Sequence, residues 1–180
     1  AGFSCPNITG EAGRGGCIYC RNDAFKPFYL EENNSLREQV EKGKEIFRKK
    51  GAKKFFIYLQ PHTNTYGPLE KLRTVYEKLL SLEDVIGLCL GTRPDCLGQE
   101  VVNLLGEYSA AGYEIWVEIG QQTVHEETLE RINRGHGFQE YCRAVARLRN
   151  QPGLKVCPHV IFGLPGETEK MMEETVKRLL

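Results

Sequence analysis

Three thiols near the start of the chain are the residues best suited to chemistry: Cys17 and Cys20 in Gly15-Gly16-Cys17-Ile18-Tyr19-Cys20, and Cys5 ahead of Pro6-Asn7. Two thiolates separated by two residues can point at one inorganic centre while the backbone amides between them turn toward the sulfurs. Zinc sites and iron-sulfur clusters therefore share this spacing. A closed structural zinc takes four ligands, yet no fourth Cys or His follows at finger-like distance, and His62, the next candidate, belongs to another segment. Spacing alone leaves both readings open; the absent fourth ligand favours a four-iron cluster with one iron lacking a protein ligand.

The other thiols, Cys89, Cys96, Cys142 and Cys157, fall singly in segments that read as strand, loop, helix and strand, as small buried hydrophobes do. Seven cysteines is an odd number with no disulfide framework in its spacing, which points to a reducing compartment. His62, His125, His136 and His159 have no carboxylate at a telling spacing and read as structural or surface residues. Catalytic side chains are not identifiable from these patterns.

The elements that must position the thiols follow from hydropathy. Ser35 and Glu38 form a capping-box signature, opening a helix through Leu36, Val40, Ile46 and Phe47 that Gly51 closes. Phe55 to Leu59 is a short aromatic and branched run, the pattern of a buried strand. Leu69 to Leu80 is helical, Val85 to Leu90 strand, Gly98 to Ala111 helix and Glu114 to Ile119 strand. Val124 to Asn133 with Phe138 to Arg149 reads as a broken helical segment, Lys155 to Phe162 as strand and Glu167 to Leu180 as helix. Short strands separated by helices imply right-handed crossovers and a parallel sheet, hence an α/β fold and part of a barrel.

A chain of 180 residues with 41% hydrophobic and 27% charged residues can bury one sizeable core. It has no apolar run of about 18 residues and no signal-peptide pattern, so no membrane is implicated and a cytoplasmic location is the default expectation. The 24 basic and 24 acidic residues cancel, which removes a global charge argument for nucleic acid. The local excess Arg48, Lys49, Lys50, Lys53 and Lys54 suits a solvated helix end better than an RNA contact. The start at Ala1-Gly2-Phe3-Ser4 and the stop at Leu179-Leu180 within a helical pattern suggest that residues 1–180 are one core domain cut from a longer chain.

Four loops at the C-terminal ends of the strands carry the polar and special residues: Gln60-Pro61-His62-Thr63-Asn64-Thr65-Tyr66, Gly91-Thr92-Arg93-Pro94-Asp95, Gly120-Gln121-Gln122-Thr123 and Gly163-Leu164-Pro165-Gly166-Glu167. Parallel α/β folds bind ligands at that face, where strand ends and helix N-termini converge.

Taken in order with the thiols and with Ile132-Asn133-Arg134-Gly135-His136 and His159-Val160-Ile161-Phe162, these loops resemble the radical S-adenosylmethionine superfamily. Within it the likeness is to the elongator-type and coproporphyrinogen-oxidase-like branch and its uncharacterised bacterial proteins of the YhcC type. The chain departs from the common pattern in the long stretch Pro6 to Gly16 between the first two thiols, an expansion known in that branch. The resemblance implies a partial (β/α)6 TIM-like barrel of the radical SAM type, without the first and last strands.

By position, the resemblance implies that Cys5, Cys17 and Cys20 ligate a 4Fe-4S cluster whose open iron binds S-adenosyl-L-methionine. Tyr19 would lie against the adenine, with the backbone from Val160 through Ile161 to Gly163 passing along it. Gln60, Thr63 and Asn64 would contact the methionyl amine, Gln122 and Arg134 the ribose or the methionine carboxylate, and Arg93 a further part of the cofactor. Gly163 and Gly166 permit close approach to a flat ligand, and a guanidinium grips a carboxylate through charge-assisted bonds. The implied reaction is reductive cleavage of S-adenosylmethionine to a 5′-deoxyadenosyl radical that abstracts hydrogen from a substrate the sequence does not identify. The implied partners are that substrate, for which RNA is a weak hint, and a low-potential electron donor such as flavodoxin or ferredoxin. Two alternatives carry other expectations: a non-catalytic iron-sulfur or zinc domain would need a fourth ligand. A TIM-like barrel enzyme with a phosphate site at the Gly163-Leu164-Pro165-Gly166 turn would not need Cys17.

Overall fold

Five- to nine-residue apolar runs, alternating with amphipathic helical segments, form four strands: β1 Phe55–Leu59, β2 Val85–Thr92, β3 Glu114–Gln122 and β4 Leu154–Val160. The computed structural model describes residues 2–21, Ala24, Pro27 and 34–179; Leu180, expected to end the last helix, lies outside the described residues. All pairings are parallel and the order is β1-β2-β3-β4, an unclosed sheet in which successive strands are neighbours. The helices are α1 Pro6–Thr9, α2 Leu36–Arg48, α3 Leu69–Leu80, α4 Gln99–Ala110, α5 Glu126–Arg131, α6 Phe138–Arg149 and α7 Glu169–Leu179. The expected alternation therefore holds. β2 and β3 run further than expected, carrying Thr92 and Gln122 within the strands, and β4 ends at Val160 rather than Phe162.

α3, α4 and α6 pack on one face of the sheet, where Leu72, Tyr76, Leu79, Val102, Leu105, Ala144 and Leu148 meet Leu88, Leu90, Ile115, Val117 and Ile119. Each such side chain contributes about 1.5–3 kcal/mol on burial. α2 opens with the expected capping box: Ser35 N donates to Glu38 Oε2 (2.7 Å) and Glu38 N to Ser35 Oγ (3.3 Å). Beyond its other end Arg48 and Lys54 pair with Asp84, while Lys50 and Arg48 lie over the Phe47 and Phe55 rings.

Two expectations need correction. β1 is not buried on both faces, because Phe56 and Tyr58 are exposed; they lie on the side of the sheet away from the core formed with α3, α4 and α6. Nor are the four solitary cysteines buried: Cys142 is exposed on its helix and Cys89, Cys96 and Cys157 are half-buried, two of them on that same side. The apolar composition around them could not distinguish the two sides of the sheet.

The loop after β1 is tied to the sheet by Asn64. Its buried amide donates to the carbonyls of Leu59 (2.7 Å), Pro61 (3.2 Å) and Gly91 (2.9 Å), joining the ends of β1 and β2, and its own carbonyl accepts the Tyr76 hydroxyl. Removing such a donor leaves buried carbonyls unpaired. Asn64→Ala is expected to lower the unfolding free energy by about 2–3 kcal/mol, read as a reduced urea midpoint with unchanged slope.

Candidate functional site

Cys5 is the N-cap of α1, a single turn begun by Pro6, whose fixed φ suits a first helical position. This turn points Asn7 inward, fully buried, where its Nδ2 donates to Asn133 O (2.6 Å) and to Cys17 Sγ (3.3 Å). Asn133, in the turn after α5, adopts a left-handed conformation with φ of 54°. Its side-chain amide donates to Arg14 O (2.8 Å) and Gly16 O (2.6 Å), and Ile18 N donates to Ile132 O (3.1 Å). Gly135, with φ of 73°, completes the strap, because a Cβ there would stand 2.2 Å from Ala12 O. The long stretch between the first two thiols is thus folded against a turn more than a hundred residues later.

Arg134 projects from that turn toward Cys17. Its Nη1 donates to Cys17 Sγ (3.4 Å) and its Nη2 to Gly120 O, while Nε is buried without a partner. Gly120 lets Gln122 and Arg134 come close: a Cβ there would lie 2.7 Å from Gln122 Nε2 and 2.9 Å from Arg134 Nη2, so both side-chain ends would have to shift. The β3–β4 register shifts between Gly120 and Gln122, leaving Gln121 as the extra residue. Gln122 takes a φ of 73° and its carbonyl accepts Ile161 N (3.0 Å). Bulges re-aim side chains at sheet ends in this way. Gln121, which sequence reasoning passed over, is fully buried, with Nε2 on Thr123 O (2.7 Å) and Oε1 unpartnered.

Arg93 is 2% exposed and spends its guanidinium locally, bidentate to Asp95 (2.9 and 2.8 Å) and donating to Arg134 O (2.9 Å). It braces Arg134. Thr63 is buried beside the N-terminal segment, its N donating to Ser4 O (3.0 Å), and Gln60 stands half-buried at the end of β1. Tyr19 and Ile161 pack together with Leu129, Ile132 and Leu164 in a small apolar cluster apart from the main core. Gly163 follows with φ of 77°. A cavity of about 730 Å³ opens on the other side of α1, between Glu11, Tyr66 and Asp95, and takes in none of Cys17, Arg134 or Gln122.

Burial raises the Cys17 pKa, but the Arg134 charge, with hydrogen bonds from Arg134, Asn7 and Tyr19, outweighs it and brings the thiol below its usual range. Burial, offset in part by Arg134 and reinforced by the adjoining thiols, pushes the Tyr19 phenol up. Burial, then the charges of Arg134 and Arg93, hold His136 below the usual imidazole range, so it is neutral. His159 is exposed, as expected of a surface histidine, and its Nε2 lies 3.1 Å from Glu118 Oε2, a carboxylate that sequence spacing does not reveal because the two meet across the β3–β4 pairing.

These residues fit an anionic inorganic group with a polar ligand beside it. Asn7 Oδ1, Tyr19 Oη, Arg134 Nε and His136 Nε2 are buried without partners of good geometry, and three of the four belong to residues around Cys17. Such atoms are costly unless a ligand meets them. Among the described residues no three His, Cys, Asp or Glu side chains gather as on a single metal ion.

The sequence profile of a family described as the Radical SAM superfamily matches residues 7–179. The chain is 43% identical over 179 residues to protein YhcC of Escherichia coli K12, covering 99% of this chain and 57% of that protein, so it spans little more than half of its relative. Its fold is similar to that of archaeal Elp3 from Methanocaldococcus infernus, with a TM-score of 0.63 and 21% identity over 79% of this chain and 37% of that one. It is also similar to coproporphyrinogen III oxidase (HemN) from Escherichia coli, described as a radical SAM enzyme, with a TM-score of 0.54 and 17% identity over 69% of this chain and 28% of that one. With nearly every residue inside the matched span, this chain belongs to the radical SAM superfamily.

Proposed function

We propose that the protein is a radical S-adenosylmethionine enzyme in which Cys5, Cys17 and Cys20 hold a 4Fe-4S cluster. When bound, the cluster and S-adenosylmethionine supply the one-electron cleavage that yields a hydrogen-abstracting 5′-deoxyadenosyl radical. The observation that carries this reading is the buried Cys17 thiol, brought toward its thiolate form by Arg134 and Asn7 and rimmed by unpartnered polar atoms.

The chain's own part is positional and electrostatic. Asn7 and Arg134 donate toward Cys17 and stabilise negative charge on its sulfur. Arg134, whose Nε has no partner, and the Gln122 amide, which approach each other at Gly120, are the groups that would hold a methionine carboxylate or ribose. Arg93 acts through Arg134 by fixing its backbone. Tyr19, Ile161 and the Gly163 backbone offer an apolar bed for an adenine ring. Asn64 gives its amide to three carbonyls, which leaves Gln60 and Thr63 as the better candidates for the methionyl amine. A phosphate reading is disfavoured because Glu167, just before the helix that follows Gly166, and Glu169, in its first turn, carry charges that oppose a phosphate there. The electron donor is a low-potential protein such as flavodoxin or ferredoxin.

Anaerobic iron and sulfide analysis of the full-length protein tests the class: about four irons per chain are expected. Cys5→Ala, Cys17→Ala and Cys20→Ala should each abolish cluster binding, whereas Cys89→Ala and Cys142→Ala should retain it. Asn133→Ala should lower iron content while leaving far-UV circular dichroism unchanged, because it releases the cysteine loop and not the sheet. Strict dependence on Cys96 or Cys157 would replace the open-iron reading with a closed four-ligand site.

A second measurement addresses the cofactor. Arg134→Ala and Gln122→Ala should weaken S-adenosylmethionine binding by roughly ten- to hundredfold, and Gly120→Ala should do the same by pushing both side chains away. The reconstituted, dithionite-reduced full-length protein should release 5′-deoxyadenosine slowly without substrate, and Cys17→Ala should release none. Intact four-iron protein that forms no 5′-deoxyadenosine would be an electron-transfer domain instead.

A further inference from the structure

Gln122 holds a conformation that a residue with a side chain rarely adopts. Its φ of 73° lies in the left-handed region, and the residue before it, Gln121, is the extra residue of the bulge. Surrounding bonds must hold the end of β3 in that shape. Thr123, fully buried one residue later, is their centre. Its Oγ1 lies 2.5 Å from Glu167 Oε1 and 3.2 Å from the Oγ1 of Thr175, a residue of α7 that is 2% exposed, and it accepts His125 N (3.3 Å). The Thr123 carbonyl accepts Gln121 Nε2 (2.7 Å), so the bulge closes on the same residue.

A hydroxyl has one proton, and an ionised carboxylate has none to give. The Thr123 proton is therefore directed to Glu167, and Thr175 gives its own proton to Thr123 while accepting Val124 N (3.4 Å). Glu167 sets the direction of the whole network. It is fixed in turn by the bend from Gly163 to Gly166, where Glu167 N donates to Leu164 O (3.0 Å), Arg131 of α5 donates to Pro165 O (2.6 Å) and Leu164 is buried with Leu129 and Ile132. The bond from Thr123 to Glu167 thus ties the end of β3 to the turn after β4, the same two segments that meet where Ile161 N donates to the Gln122 carbonyl (3.0 Å).

We propose that Thr123 and Glu167 are positioning residues: their bond locks the β3 bulge so that the Gln122 amide stands at Gly120 beside Arg134, where it would hold the carboxylate or ribose of S-adenosylmethionine. Both act through Gln122 and neither touches the cofactor. The effect on the cofactor rests on the radical-enzyme reading; the lock itself does not. The competing role is a staple that only holds α7 to the sheet, and Thr175 would share that role.

Two readouts on the anaerobically reconstituted full-length protein separate these roles: S-adenosylmethionine affinity by calorimetry, and hydrogen exchange at the Ile161 amide, which needs no cofactor. Thr123→Val, which keeps the shape and removes the hydroxyl, and Glu167→Ala should each speed that exchange and weaken affinity by about tenfold, with iron content unchanged. Thr123→Ser keeps the donor and Glu167→Gln keeps an acceptor oxygen, so both should stay within about threefold of the parent. In a Gln122→Ala background Thr123→Val should cost no further affinity, because its effect passes through Gln122. Thr175→Val should lower the urea midpoint and leave affinity parental, since the bond from Thr123 to Glu167 survives it. Parental exchange at Ile161 in both Thr123→Val and Glu167→Ala would overturn the lock. Faster exchange with parental affinity, an undiminished loss in the Gln122→Ala background, or an equal loss in Thr175→Val would overturn the positioning role in favour of the staple. A four-iron parent that binds no S-adenosylmethionine would overturn the radical-enzyme reading and the positioning role with it, and the exchange result then decides the lock by itself.

Discussion

The left-handed turn at Asn133 is the constraint on which the rest of the site depends. Asn133 gives its side-chain amide to Arg14 and Gly16, its carbonyl receives Asn7, and the neighbouring Ile132 carbonyl receives Ile18. A loop long enough to carry two distant thiols loses much conformational entropy when ordered, and these bonds offset that loss. Gly135 makes the contact possible, since any side chain there would strike the Ala12 carbonyl. Without the turn, Cys5 and the Cys17–Cys20 pair would share a loop with no fixed relation to the barrel mouth.

The same turn delivers a buried positive charge. Arg134 reaches both Cys17 and the Gly120 carbonyl, so a cation is held between a sulfur and the end of a strand. An isolated buried guanidinium would be prohibitively costly. Here it is compensated in part by Cys17, and its backbone is clamped by Arg93, whose own charge is met by Asp95. Its Nε stays buried without a partner.

The two faces of the sheet divide the labour. The side packed by α3, α4 and α6 is a closed apolar core that keeps the strands in register. The other side bears Tyr58, Cys89, Trp116, Glu118 and His159, where the Tyr58 hydroxyl and the Cys89 thiol donate to Glu118 and His159 lies beside it.

The sequence by itself determined the strand and helix alternation, the capping box at Ser35, the cysteine spacing and the loading of strand-end loops with polar residues, because these rest on local periodicity and on contacts a few residues apart. Gln122 was legible as a polar residue in one of those loops and Arg134 in the segment Ile132 to His136, and the structure brings both side chains to Gly120. It could not reveal Asn7 and Asn133 as the strap, nor Gln121 as the extra residue of a bulge, since each depends on a partner far along the chain. The burial of the solitary cysteines and of β1 was misjudged for a related reason: alternation shows which residues share a face, but only packing decides which face helices cover. His159 met Glu118, and Arg93 turned from the barrel mouth to Asp95 and the Arg134 carbonyl, through register and loop geometry that tertiary structure alone decides. Spacing within a segment is local chemistry; the meeting of segments is set by the free energy of the whole fold.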